Sequence, residues 1–577
     1  MLEAQEVERQ DIAAREIEVR LYAAEKKTRV QRKKLADKVA RVAITAGGVG
    51  IILSVVAILF VIVAETLPLW RAPVAEQENT VNLNLVEGDG ARSTRAGELP
   101  GSPRAMVKPL ALGVDEYQEI TYLVTEAGTV DFLSLADNHL LQRYPIRGLK
   151  DQHPTVVYSD GIHRTIAVGT ANGMVIPLMI QFSTAFQNGE RANTPKVTEG
   201  EPFQLDPEGR PITALVYREE EGKIAAAALL GPRLLVFFAQ REKSSPLGPT
   251  GSEEYRLDLS PALKADVTAL ALDQSQSHLL AGTAAGEVYH WQVDDPASPR
   301  LADTFAVGQK VGVGISALGW VLGDRSLIVG DTAGGVSVWF QVRDQQRPQE
   351  TPYRQIQVLR SHSAPVTVIA PSPRDKGFLT ADATGTVLLH HATSAQTLLE
   401  LHAGSNALGL LAFAPKANGV LTVDTQGQLF HWHIHNPHPE ISLKTLFGKV
   451  WYEGYDHPDY TWQSSSGSDE FEPKFSLTPL AYGTLKGTFY ALLLAIPTSI
   501  CGAIYTSQFM HPSLRSFVKP TIEVMAALPS VVLGFFAGLW LAPRVEKIIP
   551  AVFLMLVALP LVTLAASFLW RLVPLSR

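Results

Sequence analysis

The stretches LAGTAAGEVYHW at residues 280–291 and IVGDTAGGVSVW at residues 328–339 decide the fold, because both follow one repeated pattern. In each stretch an apolar strand ends in small residues, a glycine occupies a turn, and a second apolar strand follows. The pattern occurs again as LVTEAGTVDFL, AVGTANGMVIPL, LTADATGTVLLH and LTVDTQGQLFHW, with a weaker copy in AALLGPRLLVFF. Such internal repetition indicates that one supersecondary unit recurs along the chain.

One glycine marks the turn in every copy, and successive glycines are 42 to 58 residues apart. Turns that need a positive φ favour glycine. A period in this range, with about four short strands per unit, is typical of a β-propeller. We therefore predict about seven blades, with six or eight left open, and the segment TVNLNLV at 80–86 is a candidate to complete the closing blade. The matching glycines are Gly128, Gly173, Gly231, Gly286, Gly334, Gly385 and Gly427.

The repeat is similar to WD40 and quinoprotein-like propellers in general pattern only. None of the nine Trp residues is followed by Asp, so the dipeptide that gives WD40 repeats their name is absent. Trp291, Trp339 and Trp432 fall at strand ends, where we expect them to pack between blades rather than to contact a ligand.

A long apolar run at residues 42–69 has no charge between Arg41 and Glu65, which is enough to cross a hydrocarbon core. Basic residues are concentrated before this run, so the positive-inside rule predicts a cytoplasmic N-terminus and an outside location for the chain that follows. The polar leader at 1–41 has oppositely charged residues at i,i+4 spacing, which is typical of an exposed helix.

Three further apolar runs close the chain, at approximately 485–509, 522–543 and 548–569. The loop after the first run is basic, with His511, Arg515 and Lys519, and falls on the cytoplasmic side if residue 480 is outside. Four spans are thus the expected minimum. The stretch at 449–484 is aromatic and Ser-rich, and its Trp and Tyr residues suit a membrane–water interface.

Composition excludes several classes of protein. The net charge of −7 argues against a nucleic-acid partner, which usually requires a basic face. A single cysteine, Cys501, permits neither an intramolecular disulfide nor a cysteine metal site. No nucleotide-binding or hydrolase motif is present, so we expect no enzyme activity in this chain.

Two sets of polar residues are candidate sites. His431, His433 and His435 alternate along one strand and so share a face, a spacing that a transition metal can use. Histidines on an outward polar face of a strand have the same spacing, and we favour this second interpretation. Acidic residues recur at equivalent positions of neighbouring repeats, as Asp331, Asp382 and Asp424. Recurrence indicates a turn-stabilising role, since a catalytic site needs different groups that converge once.

The C-terminal stretch from residue 480 to 543 contains an unusual series of motifs: GTL, an Ala-Ile-Pro inside an apolar run, a basic loop, and Leu-Pro-Ser-Val-Val followed by Gly. This series resembles the permease subunit, C-type, of the bacterial phosphate-specific ABC importer, in a long form with an extracytoplasmic insert. The resemblance covers about 110 of the 577 residues. Its signature positions are Gly483, Pro497, Arg515, Lys519, Glu523, Pro529, Ser530 and Gly534.

The resemblance implies a multi-domain protein that joins α-helical transmembrane permease segments to an all-β propeller. The expected order is a cytoplasmic basic helical leader at 1–41, transmembrane helix 1 at 42–70, an extracytoplasmic propeller at 71–448, a linker at 449–484, and a partial permease domain with about three transmembrane helices at 485–577. The ATPase-coupling loop of this family does not occur before Arg577, so we expect a truncated permease.

The implied function is import of inorganic phosphate across a bacterial inner membrane as a multi-pass permease subunit. Implied partners are a second permease subunit, cytoplasmic ATPase subunits, a periplasmic phosphate-binding protein and membrane lipid. No cofactor is expected in this chain, because ATP and Mg²⁺ belong to the partner ATPase. The alternative is a membrane-anchored periplasmic propeller that serves as a scaffold for protein–protein interaction.

Overall fold

The computed structural model describes residues 2–572, apart from 84–107, 151, 163, 188–189, 221, 246–247, 309–311, 345–350, 469, 527 and 529. The chain divides into two compact units, Met1–Leu480 and Ala481–Arg577. The first unit holds the N-terminal helix and the propeller, and the second unit is helical.

Seven sheets form the propeller, six with four strands and one with five, so the prediction of about seven blades is confirmed. In every blade an inner, a second and a third strand form an antiparallel meander, and an outer strand pairs with the third. The inner strands are Pro109–Val114 (β2), Pro154–Asp160 (β6), Ala214–Glu220 (β11), Val267–Leu272 (β15), Ile315–Trp320 (β19), Val366–Pro371 (β23) and Leu408–Phe413 (β27). The second strands are Ile120–Thr125 (β3), Thr165–Thr170 (β7), Lys223–Leu229 (β12), His278–Thr283 (β16), Ser326–Asp331 (β20), Gly377–Asp382 (β24) and Gly419–Asp424 (β28).

The third and outer strands complete the blades. The third strands are Thr129–Ser134 (β4), Met174–Gln187 (β8), Leu235–Ser245 (β13), Glu287–Gln292 (β17), Val336–Gln341 (β21), Thr386–His391 (β25) and Gln428–His435 (β29). The outer strands are Val74–Asn82 (β1), Leu140–Pro145 (β5), Glu190–Glu199 (β9), Gly248–Asp258 (β14), Arg300–Ala306 (β18), Tyr353–Val358 (β22) and Gln396–His402 (β26). A short strand, Phe203–Gln204 (β10), pairs with β8.

The N-terminal strand β1 closes the ring, because it pairs with β29 in the seventh blade from Val74 opposite His435 to Asn82 opposite Gln428. The closing strand therefore begins before the predicted segment 80–86, of which residues 84–86 lie outside the described residues. The pairing also fixes where the chain enters and leaves the propeller. Both points lie on the face that carries the turns between inner and second strands, which we call the connection face.

Apolar residues on both sides of the inner three strands fill the spaces between blades. Trp291 packs with Phe237 of the preceding blade, and Trp432 packs with Leu389 of the preceding blade. All three predicted strand-end tryptophans are buried, with at most 7% of their surface exposed, so the expected packing between blades is confirmed.

The repeated turns have the predicted geometry at six of the seven glycines, whose φ angles lie between 75° and 87°. At Gly334 an added Cβ would lie 2.5 Å from the carbonyl oxygen of His362, so both the φ and the space require glycine. Gly231 is the exception, because it has no positive φ. Its turn is longer, and the Leu230 N–H donates to the Leu234 carbonyl at 2.9 Å.

One continuous helix, Leu2–Thr66 (α1), includes both the predicted leader and the first apolar run, so no break separates 1–41 from 42–70. A 3₁₀ turn at Leu67–Trp70 follows, and β1 starts four residues later. The helical unit contains Thr478–Ile504 (α3), Pro512–Ala526 (α4), Ser530–Phe536 (α5) and Ala542–Leu572 (α6), with π-helical turns at Tyr505–Phe509 and Ala537–Leu541.

Three helices within the described residues are long and apolar enough to cross a membrane: Lys33–Trp70, Thr478–Phe509 and Ser530–Trp570. The prediction of four spans differs from this result in two places. The stretch 522–543 does not form one helix, because α4 ends at Ala526 and α5 begins at Ser530. The runs 522–543 and 548–569 are also not separated at Pro543, which lies in the first turn of α6. A proline is tolerated there because the backbone N–H that it lacks has no partner within the helix at that position.

Residues 436–477, which we call the strap, include a short helix, Leu443–Phe447 (α2), and a two-stranded pairing of Trp462–Gln463 (β30) with Lys474–Phe475 (β31). Val450 and Tyr452 in the strap are buried, with 1% of their surface exposed. Trp451 stacks edge-on against Phe340 of the fifth blade. The first part of the predicted linker therefore packs against the propeller, whereas Tyr460 and Trp462 are exposed.

Candidate functional site

The signature positions of the C-terminal segment fall on three helices. Gly483 and Pro497 lie in α3, and Arg515, Lys519 and Glu523 lie in α4. Ser530 begins α5, where Gly534 also lies. Pro529 lies outside the described residues.

Helix α3 carries two irregularities. Pro497 lies in its interior and removes one backbone hydrogen bond. The Thr498 hydroxyl donates to the Leu494 carbonyl at 2.7 Å beside it. A π-helical turn at Tyr505–Phe509 ends the helix, and such turns are frequent at functional sites.

Two pairs of glycines in the helical unit are spaced at i,i+4. Gly483 and Gly487 form one pair in α3, and Gly534 and Gly538 form the other in the Ser530–Trp570 helix. A Cβ built on any of the four meets no atom within 4 Å. Small residues at this spacing allow close approach of another membrane helix. These faces are therefore open within the described part of the chain.

Arg515, Lys519 and Glu523 lie four residues apart and so form one polar stripe along α4. The Arg515 guanidinium donates to the Ser507 carbonyl in the last turn of the preceding helix. Cations at a helix C-terminus are stabilised by the exposed carbonyl groups there. Arg515 thus fixes the start of α4 at the end of the Thr478–Phe509 helix.

The predicted histidine group does not converge. The His431 ring lies 2.8 Å from Gln118 Oε1 and 3.3 Å from Glu78 Oε2, and burial lowers its pKa despite the nearby Glu78. His433 and His435 are exposed. No group of three or more His, Cys, Asp or Glu side chains suited to a metal occurs among the described residues. His431 is part of the contact that closes the ring.

The recurring aspartates stabilise turns, as predicted. One oxygen of Asp331 accepts the N–H groups of Ala333 and Gly335 at 2.8 and 2.7 Å. Asp382 accepts from Thr384 and Thr386, and Asp424 accepts from Gln426 and Gln428, at 2.8 to 3.0 Å. The identical geometry in three blades shows that these carboxylates serve the fold.

A cavity of about 900 Å³ occupies the axis of the propeller and is lined by residues of all seven inner strands. The long hairpin of β8 and β9 contributes Gln181, Ser183 and Asn193 to its wall. Asn193 donates to Asp115 at 3.0 Å and to Glu119 at 2.7 Å. The hairpin of the second blade is thereby tied to the first blade at the mouth of the cavity.

A buried ion pair lies in the cavity wall on the connection face. The Arg218 guanidinium, with 3% of its side chain exposed, contacts the Asp160 carboxylate and the Tyr158 hydroxyl. Burial opposes the charge of Arg218, but the groups around it raise its pKa overall. Burial also raises the pKa of Tyr158 well above its usual range. This end of the cavity is therefore polar and fixed.

A second buried charge cluster joins the strap to the fifth and sixth blades. Lys376 Nζ donates to Glu453 Oε2 at 2.7 Å and to the Leu322 carbonyl at 2.6 Å. The Ser326 hydroxyl donates to the other oxygen of Glu453 at 2.5 Å. Glu472 accepts the Glu453 N–H at 2.9 Å and the Thr393 hydroxyl. The strap is thus held by specific bonds on the connection face.

Burial, with the adjacent Glu453 carboxylate, raises the pKa of Glu472 to about 7. Sequence reasoning missed Lys376, Glu453, Glu472 and Arg218, since no motif marks them. Their neighbours in the sequence give no signal, because Lys376 and Glu472 lie among other charged and polar residues, and Lys376 is 77 residues away from Glu453.

Comparison with known proteins places a permease-like region in this chain. The probable ABC transporter permease protein YqgH of Bacillus subtilis (strain 168) is 30% identical over 76 residues, 13% of this chain and 25% of that protein. The phosphate transport system permease protein PstC of Mycobacterium leprae (strain TN) is 31% identical over 80 residues, 14% of this chain and 24% of that protein. The phosphate transport system permease protein PstA 1 of Mycobacterium tuberculosis (strain CDC 1551 / Oshkosh) is 32% identical over 97 residues, 16% of this chain and 32% of that protein.

The chain therefore matches 24% to 32% of the length of these curated relatives. No protein-family profile matches it. Among solved structures, the Cps50 (Swd1) β-propeller domain of Myceliophteria thermophila has a TM-score of 0.40 at 12% identity, covering 62% of this chain and 99% of that domain. The computationally designed Ika8 protein has a TM-score of 0.38 at 17% identity, covering 56% of this chain and 96% of that chain.

Proposed function

We propose that the chain is an inner-membrane permease subunit of an ABC importer for inorganic phosphate. The observation that carries the proposal is the similarity to phosphate transport permeases, PstC and PstA 1. The helices that contain the signature positions support it, because they are apolar, long enough to span, and interrupted by a proline and π-helical turns. Broken or kinked helices of this kind line transport paths in membrane proteins.

In this proposal the chain binds no nucleotide. ATP and Mg²⁺ bind to cytoplasmic ATPase subunits, and a second permease subunit completes the path. The open glycine pairs at Gly483/Gly487 and Gly534/Gly538 provide surfaces for such a subunit. Phosphate arrives from a binding protein on the outer side, where the propeller is also located.

Transport assays in cells test the proposal. The chromosomal gene is deleted in a strain without other high-affinity phosphate importers, and uptake of radiolabelled phosphate is measured before and after the gene is restored. We expect uptake to be lost and then recovered, and we expect Pro497→Leu to lower it more than Ala558→Leu in α6. Unchanged uptake after deletion would show that the chain does not import phosphate.

A second function is favoured by one observation: the propeller comprises most of the chain, whereas the permease relatives match at most 16% of it. In this alternative the helices are anchors, and the propeller is a periplasmic scaffold for other proteins. Removal of the propeller with the strap, residues 74–477, with the spans retained, separates the two. Restoration of uptake in the deletion strain by the spans alone favours the permease, whereas normal uptake in the deletion strain, with loss of co-purifying envelope proteins when the propeller is removed, favours the scaffold.

A further inference from the structure

Helix α4 occupies an unusual position between two candidate spans. It begins three residues after the Thr478–Phe509 helix and ends four residues before the Ser530–Trp570 helix. Its 15 residues extend about 22 Å at 1.5 Å per residue, which is too short to cross a hydrocarbon core about 30 Å thick. Length alone therefore argues against α4 as a span.

 Its three charged residues are Arg515, Lys519 and Glu523.

The side chains of α4 separate into two faces. At 3.6 residues per turn, Arg515, Lys519 and Glu523 share one face. The opposite face is apolar, and its large side chains have between 49% and 71% of their surface exposed. The large apolar residues on this face are Leu514, Phe517, Val524 and Met525. An apolar surface of this width is unstable in water and needs a cover.

The connections at the two ends of α4 limit what can cover its apolar face. Arg515 contacts the Ser507 carbonyl in the last turn of the preceding helix, so the first turn of α4 is held at the boundary of that span. The second end joins the next span through three residues. Because so few residues connect α4 to the two candidate spans, it cannot lie far from the ends of those helices. Lys519 has no acceptor among the described residues, so its charge is available to an anion.

We propose that α4 lies in the plane of the membrane surface as an interfacial helix. Its apolar face enters the boundary of the acyl chains, and Lys519 lies at the level of anionic lipid phosphates. Amphipathic helices with basic polar faces bind membranes in this way. The assignment extends the proposed function, but it requires only that the two flanking helices span the membrane.

Site-directed spin labelling of the full chain in lipid nanodiscs tests the proposal. In a Cys501→Ser background, single cysteines replace Phe517 and Val524 on the apolar face and Ser516 and Glu523 on the polar face. Collision rates with oxygen, which enters lipid, and with a water-soluble nickel complex are measured at each label. Leu556→Cys, within the Ser530–Trp570 helix, is the reference for a position inside the bilayer.

We expect oxygen to be favoured at 517 and 524 and the nickel complex at 516 and 523, with the ratio following the helical period. We also expect phosphatidylglycerol to shift the label at 517 deeper than phosphatidylcholine alone, and Lys519→Gln to remove that shift. High oxygen accessibility at all four positions would show a buried span and overturn the proposal. If all four positions are accessible to the nickel complex and lose this accessibility only when ATPase subunits are added, α4 binds that partner instead of lipid. If the label at 517 has the same depth in both lipids, Lys519 does not contact lipid phosphates. None of these readouts depends on phosphate transport.

Discussion

At the scale of single residues, the strap is held by buried charges whose desolvation makes them sensitive to mutation. Lys376 has 2% of its side chain exposed and is paired with Glu453. Removal of one partner leaves the other buried without compensation. Substitution of Lys376 therefore tests directly whether the strap is part of the propeller.

Lys376→Met is expected to lower the free energy of unfolding of the propeller by about 3–5 kcal/mol, because Glu453 then remains buried without a cation. Urea unfolding of the detergent-solubilised chain, followed by tryptophan fluorescence, measures this. The matched control is Lys416→Met, which removes a solvent-exposed pair with Glu116 and is expected to cost at most about 1 kcal/mol. Equal midpoints for both variants would indicate that the strap does not dock.

The pH dependence of stability follows from Glu472. Burial, with Glu453 beside it, raises the pKa of this carboxyl to about 7 in the folded chain, against an ordinary value of 4.5. The folded state then holds a proton between these two values that the unfolded state has lost, so this contribution to stability is full below pH 4.5 and is lost as the pH rises towards 7. The total loss is about 3 kcal/mol at most.

Unfolding midpoints measured across this pH range check the assignment. Glu472→Gln is expected to flatten the decline, because the amide does not titrate. Glu470→Gln, which changes an exposed carboxylate of the same segment, is expected to leave the decline unchanged. The same slope in the wild-type chain and in Glu472→Gln would assign the effect to another group.

At the scale of elements, glycine is required for two separate reasons, which Gly334 in the turn between β20 and β21 and Gly308 in the connection between β18 and β19 distinguish. Gly334 has a φ of 86°, and its Cβ position lies close to the carbonyl oxygens of His362 and Ala364. Gly308 has a similar φ of 84°, but its Cβ position is open. The pair separates the cost of backbone conformation from the cost of steric overlap.

Gly308→Ala is expected to destabilise the propeller by about 1 kcal/mol, because only the positive φ is unfavourable. Gly334→Ala is expected to cost about 2–4 kcal/mol, since two backbone carbonyl groups must also move. Thermal unfolding of both variants measures the difference. Equal losses would mean that the turn between β20 and β21 adjusts without strain.

The open glycine pair of the Ser530–Trp570 helix leads to a prediction on assembly. Gly538→Leu is expected to weaken association with a second permease subunit at least tenfold in detergent, because the larger side chain prevents close helix approach. Ala558→Leu is the matched control, since large residues stand four positions to either side of it. Quantitative co-purification checks this, and equal recovery with both variants would place the interface elsewhere.

At the scale of the whole molecule, the repeat determined what could be predicted. Seven glycines at regular spacing predicted the propeller, and the alternation of short apolar strands predicted its inner and third strands. Gly231 was mispredicted because a longer turn replaces the tight turn in the third blade. Local pattern is sufficient where a structure repeats, since the same local solution occurs each time.

The strap and the helix boundaries could not be predicted in this way. Glu453 and Glu472 are in an aromatic and polar stretch that is typical of a linker, and their partners lie in turns that are 77 and 79 residues away along the chain. Likewise, hydropathy alone joined 522–526 to the following span, because Ile522, Val524 and Met525 are apolar. The boundary between α4 and the following span is evident only from the structure, in which α4 ends at Ala526.

ATP-driven import of phosphate into proteoliposomes tests the central claim most directly. The full-length protein is purified with its partner subunits and reconstituted into vesicles that contain ATP in the lumen, on the side of the ATPase subunits. Radiolabelled phosphate and binding protein are added outside the vesicles. The account predicts uptake that requires ATP and this chain, and that is competed by unlabelled phosphate but not by sulfate. Uptake of the same magnitude by a complex that lacks this chain, or none by the complete complex, would contradict it.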